Sequence, residues 1–344
     1  MKNILICRTD RIGDVLLSTP VFEVLKRELS SSRITVLVGP HAKEIVEGNP
    51  YVDEVLVYDK KGEHRSFWRT FLFSRFLKKK KFDSVILLHS TNRVVIMAFL
   101  AGIPERIGYD RRLSFLLTKS YKYVKKHGTK HEVDYNLDLI KSAYAIKSAS
   151  HAGLSFPLKE SDKKTALEKL YVNFRESEKF IVFHTHASCP SKRWPKESFC
   201  KLAKLIRKHF DIKVIAVALK QQDEISRMFS SILRDNFLDL SGRLSLGELA
   251  WILKQAALFV SNDSGPVHLS VAVGTPCISI FGRKDPGLSP TRWAPLGERD
   301  IVFHKDVGCL ECKAHECELG FKCIGSVLPE EVFEEVKNIL DTRF

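Results

Sequence analysis

Residues 258–282 read LFVSNDSGPVHLSVAVGTPCISIFG, and their pattern decides the fold. Leu258, Phe259 and Val260 form a short apolar run that ends in Ser261 and Asn262, as a buried parallel strand does. Asp263 and Ser264 are good N-cap residues, and Gly265, Val267, Leu269, Val271 and Ala272 continue as a helix. Gly274-Thr275-Pro276 stops that helix, and residues 277–281 form a second buried strand. The stretch is therefore one βαβ unit whose helix opens in small residues. Free N–H groups and a positive dipole end suit a phosphate or diphosphate there, and His268, one turn in, adds a donor. On pattern alone, an ordinary crossover with Asp263 as a plain cap fits equally well.

Working outward, the same alternation recurs along the chain. Strand patterns at 3–7, 33–39, 53–59 and 84–89 alternate with helical patterns at 14–28, 41–48, 66–80 and 91–101. A basic segment follows at 106–112, then a helix at 131–146. A polar stretch, 157–178, carries one helix and marks the link to a second series. There the strands are 180–186, 213–218, 237–240, 258–262 and 277–281, and the helices 196–210, 222–234, 246–256 and 329–342. Such alternation predicts doubly wound parallel sheets. We expect two Rossmann-like α/β domains, residues 1–156 and 157–344, facing a cleft, with the closing helix 329–342 free to pack back on the first.

The chain has 344 residues, 44% of them hydrophobic and 28% charged, as in a soluble globular protein. No apolar run approaches the roughly 20 residues that span a bilayer. The N-terminus reads as a first strand and not as a signal peptide, so a cytoplasmic protein is expected. A formal net charge of +14 admits nucleic acid, an anionic membrane surface or a phosphorylated substrate as partner. No nucleic-acid-binding motif accompanies the charge, so nucleic acid is not expected. Neither half carries Gly-x-Gly-x-x-Gly after its first strand, which disfavours a dinucleotide-dependent dehydrogenase. Neither Walker A nor Asp-x-Asp occurs. Of eight cysteines, Cys7, Cys200 and Cys277 fall in apolar patterns. Cys309, Cys312, Cys317 and Cys323 cluster, and structural zinc, free thiols and disulfides all remain open for them.

Three segments end strands or open helices: RTDRIGD at 8–14, HASCPSKRWP at 186–195, and NDSGPVH at 262–268. With RTDRIGDVLLSTP (8–20), RIGYDRR (106–112), SKRWP (191–195), LSLGELAWIL (244–253) and the 262–282 stretch running on to DPGLSPTRWAP (285–295), the sequence resembles glycosyltransferase family 9. These are the heptosyltransferases of lipopolysaccharide core assembly. The resemblance covers nearly the whole chain, with the motifs in the family's order. NDSGPVH and the cysteine-rich loop look more like the branch that adds the second heptose.

The resemblance implies a GT-B architecture and inverting transfer that requires no metal cofactor, in accord with the missing Asp-x-Asp. It implies an ADP-heptose donor and a Kdo-lipid A or heptosyl-Kdo-lipid A acceptor. Asp14 would be the general base, with Asp10 its rival, and Lys192 would stabilise the leaving diphosphate. Ser188, Glu224, Leu244, Asp263, Ser264, Gly265 and His268 would bind the nucleotide-sugar, with Asp223 an alternative to Glu224 at the ribose. Arg8, Arg11, Arg106 and Arg111 would meet the acceptor's carboxylates and phosphates. The enzyme is expected to act as a monomer, peripheral on the anionic inner face of the inner membrane. Apart from the resemblance, Asp14 is equally a first-turn acid favoured by the helix dipole. The arginines are equally a solvated face.

Overall fold

A computed structural model describes residues 2–172, 174–309, 312 and 314–341. The chain divides into two compact units, residues 1–157 and 158–344. Each is built on one six-stranded parallel sheet.

In the first unit the strands are β1 (Asn3–Arg8), β2 (Arg33–Val38), β3 (Glu54–Val57), β4 (Ser84–Leu87), β5 (Glu105–Tyr109) and β6 (Lys119–Tyr121). Their order in the sheet is β3-β2-β1-β4-β5-β6. Helices α1 (Ile12–Leu16), α2 (Thr19–Glu28), α3 (Lys43–Val46), α4 (Phe67–Lys79), α5 (Asn92–Leu100) and α6 (Glu132–Tyr144) connect them. β1 and β4 lie side by side although their chain directions lead away to opposite edges. The order reverses between them, and in open α/β sheets ligands bind beyond the strand ends at such a reversal.

The second unit repeats the plan. Its strands are β7 (Phe180–His184), β8 (Lys213–Ala216), β9 (Phe237–Asp239), β10 (Leu258–Asn262), β11 (Cys277–Phe281) and β12 (Ile301–His304), in the order β12-β11-β10-β7-β8-β9. The helices are α7 (Glu160–Leu170), α8 (Lys196–His209), α9 (Asp223–Leu233), α10 (Leu246–Gln255), α11 (Gly265–Ala272), α12 (Pro290–Trp293), α13 (Lys322–Gly325) and α14 (Pro329–Asp341). Here the reversal falls between β7 and β10. α14 buries Val332, Phe333, Val336, Ile339 and Leu340 in the core beneath α8. At about 1.5–3 kcal/mol for each large apolar side chain, that stripe is a main contributor to this unit.

Two local readings need correction. The helix expected over 14–28 is broken into α1 and α2, because Pro20 has no N–H to donate to the preceding turn. The hydroxyls of Ser18 and Thr19 satisfy the exposed carbonyls instead, at Asp14 O (2.8 Å) and Leu16 O (2.8 Å). The basic segment at 106–112 overlaps strand β5, whose Ile107, Gly108 and Tyr109 are buried.

Candidate active site

In the first unit the site grows from the end of β1. Arg8, the last residue of that strand, is only 2% exposed. Its Nε donates to Asp10 Oδ1 (2.9 Å), its Nη2 to Asp14 Oδ1 (2.6 Å) and its Nη1 to Glu132 Oε1 (3.0 Å). Nη1 also reaches Asn136 Oδ1 (3.3 Å) and Leu88 O (3.4 Å). Glu132 and Asn136 sit one turn apart on α6, and Lys125 Nζ donates to both, at 2.6 and 2.8 Å. Arg8, expected to meet the acceptor, therefore has a different place. Its planar fork is consumed in aligning three carboxylates.

The two acids of the 8–14 segment separate clearly. Both oxygens of Asp10 are engaged, Oδ1 by Arg8 and Oδ2 by His89 Nδ1 at 2.9 Å. Burial alone would raise its pKa, but Arg8 and His89 outweigh burial and hold it well below the usual carboxylate range. Asp14 shifts the other way. Burial raises it, and the nearby charges of Asp10 and Glu132 add to burial against the Arg8 ion pair. Only its Oδ1 is taken by Arg8, while Oδ2 has the Arg11 N–H at 3.3 Å. With 15% of its side chain exposed, Asp14 is a partly accessible carboxylate whose Oδ2 holds a long backbone contact, and its basicity is raised.

Beside Asp10, beyond the ends of β4 and β5, lies a cavity of about 440 Å³ lined by His89, Ser90, Thr91, Asn92, Arg93, Arg111 and Arg112. Thr91 caps α5, whose first turn opens onto the cavity. Arg111 lies over the Tyr123 ring at 5.0 Å. Arg106 is not among the lining residues. Its Nε and Nη1 donate to Leu116 O (2.7 Å) and Ile103 O (2.6 Å), so it ties down the 103–118 loop instead of meeting an acceptor. Arg11 is exposed at the start of α1.

In the second unit the segments after β7 and β10 meet at the sheet reversal. Asn262, buried at the end of β10, accepts from Trp194 N (2.9 Å) and donates to Thr185 O (2.8 Å), clamping the 185–194 loop from both ends. Trp194 is buried against Phe199 and donates from Nε1 to Val327 O (2.9 Å). So anchored, the loop presents Lys192, whose Nζ pairs with Asp263 Oδ2 at 2.5 Å. Ser264 caps α11 by position, and its Oγ lies 3.0 Å from Ser261 Oγ and 3.2 Å from His184 Nδ1. His184 is buried, and desolvation followed by the neighbouring His186 pushes its pKa down to about 4, so it is neutral near pH 7. Gly265 opens the helix and His268 is buried on it. Lys192, Asp263, Ser264, Gly265 and His268 are thus brought together, with a cation and a helix N-terminus on one spot.

The remaining expected donor contacts lie around this centre. Ser188 is an exposed residue of the same loop, and Leu244 is half-buried between β9 and α10. Glu224, with Asp223, opens α9, and its exposed carboxylate is paired with Lys196. Sequence reasoning missed His89, Lys125, Glu132, Asn136, His184 and Asn262. Glu132 and Asn136 were detectable in principle, as polar residues four apart on an otherwise apolar helix stripe.

The four clustered cysteines form no disulfide. Cys309, Cys312 and Cys317 are close enough to Cys323 to raise its pKa, after burial, by their charge. Among the described residues, however, no group of three or more His, Cys, Asp or Glu side chains is placed to hold a metal ion. The thiols as arranged do not fit the zinc site considered from sequence. Their segment does touch the Lys192 loop, where Ser191 N donates to Ala314 O at 3.2 Å.

Comparison with known proteins accords with this geometry. The family model described as glycosyltransferase family 9 (heptosyltransferase) matches residues 70–322. The chain belongs to that family. It is 23% identical to the lipooligosaccharide heptosyltransferase 2 of Haemophilus influenzae, over 98% of this chain and 99% of that protein. The crystal structure of a family 9 glycosyltransferase from Veillonella parvula superposes with a TM-score of 0.85 at 25% identity, covering 98% of this chain and 97% of the other. The Escherichia coli heptosyltransferase WaaC, solved with ADP, gives 0.73 at 18% identity over 98% and 99%. The two parallel-sheet units are the Rossmann-like halves of a GT-B glycosyltransferase, and no described helix is long and apolar enough to cross a membrane.

Proposed function

We propose that this glycosyltransferase moves a heptose from ADP-heptose onto a Kdo-lipid A type acceptor of the lipopolysaccharide inner core, with inversion. The observation that carries the reading is the contrast between the two acids: Asp10 is held by the side chains of Arg8 and His89 at both oxygens, whereas Asp14 has Arg8 at one oxygen, a 3.3 Å backbone N–H at the other, and a raised pKa. The acceptor hydroxyl gives its proton to Asp14 Oδ2 as its oxygen forms the new bond to the anomeric carbon. The anomeric carbon–diphosphate bond breaks in the same displacement, and its electron pair leaves with the ADP. Lys192 and the start of α11 meet the growing charge on the diphosphate, so no metal cofactor is required. The adenosine end lies toward Ser188, Glu224 and Leu244. Arg11 and Arg111 face the acceptor's acidic groups, at an anionic membrane surface. The donor assignment draws on the ADP bound to the Escherichia coli WaaC protein and on the name of the Haemophilus relative.

ADP release from ADP-heptose, with Kdo-lipid A acceptors that carry or lack the first heptose, tests this. Acceptor-dependent release, unaffected by EDTA and abolished in Asp14→Asn, is expected. ADP binding with no release for any acceptor would move the reading to another donor sugar. Full activity of Asp14→Asn would refute the assignment of the base.

A further inference from the structure

We propose that α4, with the aromatic side chains of the elements beside it, is the face by which this protein lies on an anionic lipid bilayer. Residues 64–82 carry seven Lys or Arg and no Asp or Glu. Only Thr70, Ser74 and Leu77 of α4 are buried, so the helix meets the sheet along a narrow, mostly small-residue strip. Trp68, Leu72 and Phe76, spaced four apart on one line of the helix, are 64%, 43% and 43% exposed, and Phe67 is 69% exposed. Arg69, Arg75 and Lys79 share that outward face and form no ion pair among the described residues. On neighbouring elements, Phe99 of α5 and Phe115 of the 3₁₀ turn Ser114–Leu116 are also exposed.

An outward stripe of Trp, Phe and Leu flanked by unpaired Lys and Arg matches a helix lying in the headgroup region. There rings sink to the acyl boundary and long cationic side chains reach lipid phosphates. A protein partner fits less well, because lysine is depleted from protein interfaces and the exposed Lys78, Lys79 and Lys81 end this face, Lys80 between them being paired with Glu54. Thirteen residues at about 1.5 Å each give roughly 20 Å, too short to span a bilayer but ample to lie along it. The face also adjoins the cavity beside Asp10. Arg93, which lines that cavity, donates to the carbonyls of His64 (3.3 Å) and Arg65 (3.0 Å), just ahead of α4. Docking by α4 therefore brings the cavity close to lipid headgroups. The assignment rests on exposure and charge, and does not depend on the transferase reading.

The test uses the full chain and sedimentation with vesicles of phosphatidylcholine alone or with added phosphatidylglycerol. Wild type is expected to pellet with the anionic vesicles only, and less as salt is added. The variant Trp68→Ser/Leu72→Ser/Phe76→Ser and the variant Arg75→Glu/Lys79→Glu should each lose at least tenfold in apparent vesicle affinity. All five substitutions replace exposed side chains, so circular dichroism and melting should be unchanged, as should transfer to a short, detergent-free acceptor. Equal vesicle binding by both variants and wild type would overturn the proposal, as would no wild-type binding to either vesicle. Self-association of wild type that the triple variant abolishes, without vesicle binding, would assign the face to a second copy of this chain and equally overturn it.

Discussion

Replacing Arg8 by alanine removes the one cation shared by Asp10, Asp14 and Glu132. The guanidinium is 2% exposed and lies 2.6–3.0 Å from an oxygen of each acid. Removing one partner of a buried, hydrogen-bonded ion pair costs about 3–5 kcal/mol, because the other charges stay enclosed. Lys125 remains, but its contact is with Glu132, so the two acids of the 8–14 segment are left unbalanced. For a unit of about this size each kcal/mol moves the melting temperature by roughly 2–4 °C, so a drop on the order of 6–20 °C at neutral pH is expected. The loss should depend on pH. Without Arg8 the enclosed carboxylates titrate above their unfolded values, near 3.9 for Asp and 4.3 for Glu. A raised folded pKa gives stability that is full below the unfolded value and lost as pH rises through the folded one. The deficit against wild type should therefore be smallest near pH 4 and grow toward neutrality. Melting curves of wild type, Arg8→Ala and Arg8→Lys across that range measure it, with Arg8→Lys intermediate because a point charge cannot serve three acids in a fixed fork. If Arg8→Ala melts within about a degree of wild type at pH 7 while only its KM for acceptor rises, Arg8 is a surface contact and the reasoning fails.

Asp14→Asn should lower kcat by roughly 10²–10⁴ with the fold retained, whereas Asp10→Asn should act mainly through stability, as melting and steady-state rates on both variants will show. Because burial raises the Asp14 pKa, the acid limb of the wild-type rate profile should lie above the ordinary aspartate value of 3.8; a limb at or below it refutes the base assignment. His184, neutral and enclosed with a pKa near 4 against 6.5, gives stability that is full above pH 6.5 and is lost as pH falls toward 4. At 1.36 kcal/mol per unit this is roughly 3 kcal/mol, and chemical denaturation at pH 7 and pH 4.5 should show it for wild type but not for His184→Gln. A Cβ on Gly282 would sit 2.2 Å from Ser191 O, so Gly282→Ala should cost about 1–3 kcal/mol and weaken ADP binding by shifting the Lys192 loop, which melting and calorimetric titration measure.

Elements set by local periodicity were the legible ones. The central strands β1, β4, β7, β10 and β11 are buried along nearly their whole length and stand out as apolar runs. Edge elements were harder. β6 is Lys119, Ser120 and Tyr121 with no apolar run, and β12 has only the short run Ile301 to Phe303, half-buried throughout at the sheet's edge. β5 carries Arg106 at its edge and ends before a basic loop, which masked its buried Ile107, Gly108 and Tyr109. In the candidate site, residues near one another in sequence were legible: Lys192 in its loop, and the Asp263 to His268 turn. The long-range partners were not. Arg8 meets Glu132 across 124 positions, and Asn262 meets Thr185 across 77, and nothing in a one-dimensional pattern records either closure. The same blindness made Arg8 and Arg106 look like free cations, since a guanidinium's partners are invisible until the chain folds.

The enclosed group around Arg8 has a consequence for the fate of the transferred proton. Counting only the Lys, Arg, Asp and Glu side chains of the cluster, Arg8 and Lys125 supply two positive charges and Asp10, Asp14 and Glu132 three negative ones, one negative charge in excess. If Asp14 is the proposed base, its taking a proton from an acceptor hydroxyl removes that excess. Capture is thus the relaxed direction for this pocket, and discharge to water is the step that restores an imbalance in a poorly solvated place. With Asp14 as the base proposed above, the 15% of its side chain left open to solvent would be the route by which it is reset. A slow proton release after sugar transfer would then appear as a solvent isotope effect on the steady-state rate that exceeds the one the hydroxyl proton transfer itself gives to the first turnover.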